Sequence, residues 1–284
     1  MSASAWLRLV RAGTLFSPAS DVIAGAALQG TPWSVELLRA AAASVLVYAG
    51  GMVLNDHADR REDALQRPER PIPSGDLTPA AAHGGGLLLL VAGVAVAPWH
   101  AWWALLAVLV LTYDYVAKRW LVVAAPLMGS LRALNLLGGA WFATQGLDAI
   151  DVELAIPVLC YGLYVLAVTL LGALEDEPKI APRAVVGVQS VPPLVGLLAL
   201  FALPQRGPAV LIGLALTVLF FARMRRRGMD WPRAAIRGSM TWLLLGTMAF
   251  TSLLCLGSGR PWEAVGIAAA IVPARWISRS IALT

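Results

Sequence analysis

The sequence predicts an all-α, polytopic membrane bundle of nine or ten transmembrane helices around a central cavity, built as one unit over residues 1–284. Three observations predict it. Of 284 residues, 58% are hydrophobic and 14% charged, where a soluble domain carries about a quarter charged residues. Apolar runs recur from end to end, too long and too rich in Leu and Ala for the alternating strands of a barrel. The basic residues are sorted by topology: with the N-terminus in the cytoplasm, all of the 22 Lys and Arg except Arg39, Arg132, Arg206 and Arg260 fall on that side, as the positive-inside rule requires. The net charge of +5 therefore reflects orientation in a membrane and not a nucleic-acid partner.

Taken in order, the first apolar segment (14–30) follows Arg8 and Arg11, carries Asp21 and lacks a convincing small-residue cleavage site, so it reads as a retained crossing. The second (37–54) runs into the polar stretch Asn55–Asp63. The third and fourth (84–98, 101–117) end at Tyr113-Asp114-Tyr115-Val116-Ala117-Lys118-Arg119. The fifth (121–143) carries Arg132 and Asn135 on one face. The sixth (153–173) ends at Glu175-Asp176-Glu177, where Pro178 breaks the helix. Segments 186–203, 208–223 and 238–256 follow. Arg223 to Arg227 reads as an anchor on anionic lipid. A tenth segment (262–280) either crosses, returning Arg275 and Arg279 to the cytoplasm, or lies along the surface. Cys160 and Cys255 sit in apolar runs and read as small buried hydrophobes. Trp99, Trp102, Trp103, Trp231, Trp262 and Trp276 sit near segment ends and read as an interface belt. Asp148 falls outside.

Chemistry concentrates at the cytoplasmic ends. With Asn55 at zero on a helical wheel, Asp59, Asp63 and Asp56 fall at about 40°, 80° and 100°, while Arg61 points away at about 240°. Three carboxylates on so narrow an arc repel one another unless a cation sits among them. Hard oxygen ligands suit Mg²⁺, which takes one or two carboxylates and completes its shell with water and phosphate. His57 lies off this arc and reads as a bystander. In the next loop Pro68, Pro71 and Pro73 stiffen the chain, and Arg67 and Arg70 can clamp a diphosphate. Lys118 can hold a phosphate oxygen, with Asp114 one turn earlier as its partner. Arg132 at membrane depth implies a polar cavity or a buried partner, for which Asp21 is suited. Four crossings separate Asn55–Asp63 from Glu175–Glu177, so both acidic clusters lie on one side and can face each other.

Residues 55–63 match the Asn-Asp-x-x-Asp-x-x-x-Asp motif of the UbiA superfamily of intramembrane prenyltransferases. Arg67-Pro68-Glu69-Arg70-Pro71-Ile72-Pro73-Ser74-Gly75 resembles that family's next loop, and the stretch to Lys118 resembles its basic patch after the fourth helix. Pro126 to Gly139, with Arg132 and Asn135, resembles its EboC-like branch. The resemblance implies nine helices around a cavity and Mg²⁺-dependent transfer of an isoprenyl group from an isoprenyl diphosphate to a small acceptor. It places Asn55, Asp56, Asp59 and Asp63 at a first metal site, and Glu175 and Asp176 at a second. Asp56, Asp59, Asp63 and Asp176 would be catalytic. Asn55, Arg67, Arg70, Tyr113, Asp114, Lys118, Arg132 and Asn135 would bind substrate. Lys179 and Ile180 depart from the usual second motif. The expected setting is the plasma membrane, with the active site cytoplasmic. A terpene cyclase on the same scaffold and a cation transporter using the same carboxylates are the alternatives; the Asp-x-x-Asp-Gly-x-x-Ala-Arg pattern of CDP-alcohol phosphatidyltransferases is absent.

Overall fold

In the computed structural model, residues 3–144, 151–177 and 179–282 are described, without the side chains of residues 141–144, 176, 281 and 282. Asp148 and Pro178 lie outside the described residues. A short helix α1 (Ala3–Leu9) and a 3-10 turn (Ala12–Thr14) lead into α2 (Phe16–Leu28), α3 (Val35–Gln66), α4 (Pro79–Val96) and α5 (His100–Tyr115). A second 3-10 turn (Ala117–Arg119) precedes α6 (Leu121–Thr144), α7 (Val152–Asp176), α8 (Pro182–Leu200), α9 (Arg206–Arg227), α10 (Arg233–Gly257) and α11 (Pro261–Ala282). The fold is all-helical among the described residues, and eight helices there are long and apolar enough to cross a membrane: α3 to α10. The thirteen-residue α2 and α11, which carries Glu263, Arg275 and Arg279, complete ten long elements.

Local chemistry sets several boundaries. Ser34, Thr78 and Asp151 each accept a hydrogen bond from the backbone N–H three residues on, at Leu37, Ala81 and Leu154. These caps satisfy donors that the first helical turn leaves free. Pro79 and Pro182 begin α4 and α8, where a missing N–H costs nothing,. In α3 the helix continues past the apolar run through the whole Asn55–Asp63 stretch. The periodicity argument for the acidic face therefore applies to a real helix.

Sequence neighbours pack as spatial neighbours: α3 on α4, α6 on α7, α7 on α8, α8 on α9 and α10 on α11. Helix α2 touches α3, α6 and α10 and joins the two halves. Its Ala24 and Ala27 belong to a core with Tyr161, Leu171, Leu200, Phe250 and Leu254. Its Val22 and Ala26 face another, with Leu54, Leu90, Trp103 and Leu106. Trp103 and Trp231 are buried in these cores. Their place near segment ends suggested the interface, but packing takes them inward; Trp262 and Trp276 are exposed as a belt requires.

The α2–α6 contact is made backbone to backbone. A Cβ on Gly25 would lie 1.9 Å from the Leu136 carbonyl oxygen, and one on Gly139 would lie 2.0 Å from that of Val22. Small residues allow such approach between membrane helices. Gly139→Leu is expected to force α2 and α6 apart, lowering the unfolding midpoint of detergent-purified protein and disrupting the buried polar cluster described next. An unchanged midpoint would show that the contact is dispensable.

Candidate active site

Two polar layers meet at a cavity of about 90 Å³ inside the bundle. Asn55, Tyr113 and Asp114 line it on one side, and Ser44, Tyr48, Arg132 and Asn135 on another. The first layer belongs to the motif end of α3, the 67–78 loop and the end of α5. The second lies deeper, between α2, α3, α6 and α7.

In the first layer each carboxylate of α3 holds a cationic side chain. Arg70 Nη1 bridges Asp63 Oδ2 at 2.6 Å and Asp56 Oδ1 at 3.3 Å. Arg67 approaches Asp63 Oδ1 at 3.8 Å. Lys118 Nζ is ion-paired with Asp59 Oδ1. Asp56 and Asp63 are buried, and burial of a carboxylate demands such partners. The expected pairing of Asp114 with Lys118 is replaced: Asp114 Oδ1 instead accepts from Asn55 Nδ2 at 3.0 Å. Tertiary packing brings α3 beside α5, so the helix-local partner loses to the cross-helix one. His57 is not isolated, since its Nδ1 meets the Tyr115 hydroxyl at 3.0 Å, which also meets His83 Nδ1 at 3.2 Å.

Arg11 is a member of this layer that the sequence reading treated only as a topology signal. Its Nη2 donates to Asp56 Oδ1 at 3.2 Å. It has φ 51° and ψ 56°, the only left-handed non-glycine backbone among the described residues. Such a conformation costs about 1–3 kcal/mol and persists where surrounding structure imposes it. Two contacts hold the segment: Thr14 N donates to the Arg11 carbonyl at 2.7 Å, and Arg8 pairs with Asp76. Neither spacing nor composition signals this, because Arg11 precedes the first crossing by several residues and reaches the site only through the turn.

The deeper layer is densely hydrogen-bonded. Asp21, with no exposed surface, takes Arg132 Nη2 at 3.0 Å on Oδ2 and 3.1 Å on Oδ1. It also accepts from Asn135 Nδ2 at 2.8 Å and from the Tyr161 hydroxyl at 2.6 Å. The Asp21–Arg132 pair is therefore present as expected. Asn135 Oδ1 accepts from Ser44 at 2.7 Å, and its Nδ2 also reaches the Pro18 carbonyl at 3.0 Å. The guanidinium of Arg132 lies 5.8 Å and 5.7 Å from the ring centres of Tyr48 and Tyr161, within cation–π range. Ser17, Ser44, Tyr48 and Tyr161 were not singled out from sequence. A hydroxyl inside an apolar run is common, and only the packing shows that these converge.

At the second acidic cluster, Glu175 Oε1 accepts from Arg237 Nε at 3.0 Å and Nη2 at 2.7 Å. Helix α7 ends at Asp176, whose side chain lies outside the described ones.

The chemistry of the donor set fits a hard divalent cation. Asn55, Asp56 and Asp59 offer oxygens only, and nitrogen cations of Arg11, Arg70 and Lys118 already stand against the carboxylates as counter-charges. Among the described residues no three His, Cys, Asp or Glu side chains converge tightly enough to form a complete cage.

Comparison with known proteins agrees with this architecture. Residues 16–284 match the model of the UbiA prenyltransferase family. The digeranylgeranylglyceryl phosphate synthase of Methanothrix thermoacetophila is 29% identical over 271 residues, covering 91% of this chain and 95% of that protein. The enzyme of the same name from Methanoculleus marisnigri is 30% identical over 213 residues, covering 69% of this chain and 70% of its own. A solved UbiA homolog from Archaeoglobus fulgidus, bound to GPP and Mg²⁺, superposes with a TM-score of 0.68 at 12% identity, over 90% of this chain and 98% of that one. The apo UbiA homolog from Aeropyrum pernix K1 superposes with a TM-score of 0.59 at 18% identity, over 86% and 96%. The family and the apolar helices make this an integral, multi-pass membrane enzyme of the prenyltransferase class. The chain belongs to the UbiA prenyltransferase family.

Proposed function

We propose that this chain, acting as one unit over its 284 residues, transfers an isoprenyl group from an isoprenyl diphosphate to a small acceptor and releases diphosphate. The observation that carries this is the pairing of acidic and basic side chains around the α3 motif, directly beside the cavity. Asn55, Asp56, Asp59 and Asp63 would hold Mg²⁺, joined by Glu175 and Asp176 from the end of α7. When bound, the ion supplies positive charge against the diphosphate as it leaves.

The chain's own residues do the rest. Arg67, Arg70 and Lys118 exchange their carboxylate partners for phosphate oxygens, which the guanidinium fork and the ammonium both suit. Tyr113, at the cavity wall, contacts the first carbons of the donor. The apolar helices around the cavity hold the chain and keep water from the allylic cation. Arg132 and Asn135, locked by Asp21, Ser44 and Tyr161, form the wall that the acceptor meets. Preorganised donors of this kind need no rearrangement when charge develops. Sorting of the basic residues supports a site on the cytoplasmic side of the membrane, for which the plasma membrane is the proposed setting.

The test is incubation of purified protein with Mg²⁺, C10 to C20 allylic diphosphates and an acceptor panel, read by mass spectrometry. Prenylated acceptor and released diphosphate are expected. A cyclic hydrocarbon formed from donor alone would replace transfer with ring closure. Metal uptake into proteoliposomes without diphosphate release from any donor would overturn the enzymatic reading.

A further inference from the structure

The basic run at the end of α9 splits between two faces. Arg225 and Arg226 stand with Val218 and Phe221 on one. Arg223 and Arg227, one turn apart, line a gap between α8, α9 and α10 with Gln189, Ser239 and Trp242. No carboxylate lines that gap among the described residues. Arg223 lies 5.4 Å from the centre of the Trp242 ring, and Arg275 of α11 lies 5.9 Å from the same ring. Arg237 and Arg260 hold Glu175 and Glu263. Arg223, Arg227 and Arg275 are exposed and hold no carboxylate among the described residues. Like charges one turn apart on a helix oppose each other, and a third beside them calls for an anion.

The floor of the gap is polar where packing supplies no partner. Gln189 has no exposed surface, and neither its Nε2 nor its Oε1 meets a hydrogen-bond partner among the described residues. Buried side-chain amides in native structures nearly always do. The void beside it holds about 10 Å³, about the space of one water. A water there can accept from Nε2 and donate to a phosphate oxygen at the rim.

We propose that this gap binds the phosphate of an anionic phospholipid, held by Arg223, Arg227 and Arg275 and joined to Gln189 through one water. The site is separate from the prenyl-transfer site and does not depend on that reading. Basic pockets between membrane helices on the cytoplasmic side suit anionic headgroups, and the proposed orientation puts this end of α9 in that leaflet. The guanidinium fork matches phosphate oxygens. Acyl chains have a path as well: Leu216 and Leu219 are exposed on the turns of α9 before Arg223. That apolar track favours a lipid over free phosphate, which would use the arginines alone.

The test uses the full-length protein, stripped of lipid in detergent and supplied with phosphatidylglycerol, phosphatidylcholine or inorganic phosphate. Native mass spectrometry reads bound lipid, and thermal unfolding reads the midpoint. Wild type is expected to retain phosphatidylglycerol and to gain midpoint from it. Phosphatidylcholine and phosphate at equal concentration should do neither. Arg223→Gln/Arg227→Gln should weaken phosphatidylglycerol binding by at least ~10-fold, the scale of two charges lost at an anionic lipid. Arg225→Gln/Arg226→Gln removes the same charge from the other face and should stay within about twofold of wild type. Gln189→Leu loses no protein partner, so its midpoint in phosphatidylcholine should match or exceed that of wild type. Its preference for phosphatidylglycerol should fall by at least ~3-fold as the water bridge is lost. Equal weakening by the two arginine pairs would mean attraction to the surface at large and would overturn the proposal. So would equal retention of the two lipids, or a midpoint raised as far by phosphate alone. An unchanged preference in Gln189→Leu would overturn the part given to its amide.

Discussion

Asp59→Asn is expected to abolish diphosphate release from an allylic donor, with a loss of at least ~100-fold at saturating Mg²⁺, the range seen when one electrostatic stabiliser of a transition state is removed. The reasoning starts from its partner. Asp59 holds Lys118, so the mutation removes a candidate metal oxygen and also frees the ammonium that should meet the phosphate only when the donor arrives. An amide retains the size and one oxygen of the carboxylate but not its charge, which makes the loss an electrostatic one. Arg61→Gln, on the exposed side of the same helix, provides the comparison and should retain activity within about twofold, since surface charges away from special features matter little. The measurement is pyrophosphate release across a Mg²⁺ titration. Full activity in Asp59→Asn would remove the metal assignment.

Arg132→Leu should be the most destabilising single change in the deeper layer. Asp21 has no exposed surface, and Arg132 supplies its charge partner. Removing one member of a buried pair strands the other and typically costs about 3–5 kcal/mol. Replacing both by apolar residues of similar volume is often neutral. The double variant Asp21→Leu/Arg132→Leu should therefore recover much of the unfolding midpoint lost in Arg132→Leu, while transfer activity stays low in both. Thermal unfolding in detergent measures the first and product formation the second. Equal midpoints for wild type and Arg132→Leu would mean that Asp21 finds enough compensation in Asn135 and Tyr161 alone.

The bundle was legible because hydropathy and charge sorting are properties of each segment by itself. The acidic face of α3 was legible for a similar reason: its four residues share one helix, and helical periodicity is enough to group them. What escaped were relations between helices. Asp114 and Lys118 are one turn apart and invite pairing, yet α3 supplies Asn55 to one and Asp59 to the other. Arg11 belongs with Asp56 only because the chain turns through a left-handed residue. Trp103 and Trp231 carry the composition of an interface and the environment of a core. Asp21 with Arg132 was recoverable because two charges at membrane depth need one another wherever they lie in sequence, whereas the hydroxyls of Tyr161, Ser44 and Ser17 carry no such compulsion.

Helix α3 runs unbroken for 32 residues. At about 1.5 Å per residue it is a rod of about 48 Å, while the hydrocarbon layer is about 30 Å thick. The surplus is long enough to carry the aspartates out of the hydrocarbon layer, which is the height the proposed function requires of them. A membrane-borne pyrophosphate ester already floats with its polar head at that level and its tail among the acyl chains. Under the proposed function, such a donor would drift in sideways and dock without being hauled out of the bilayer, so that encounter would be a search in two dimensions rather than three.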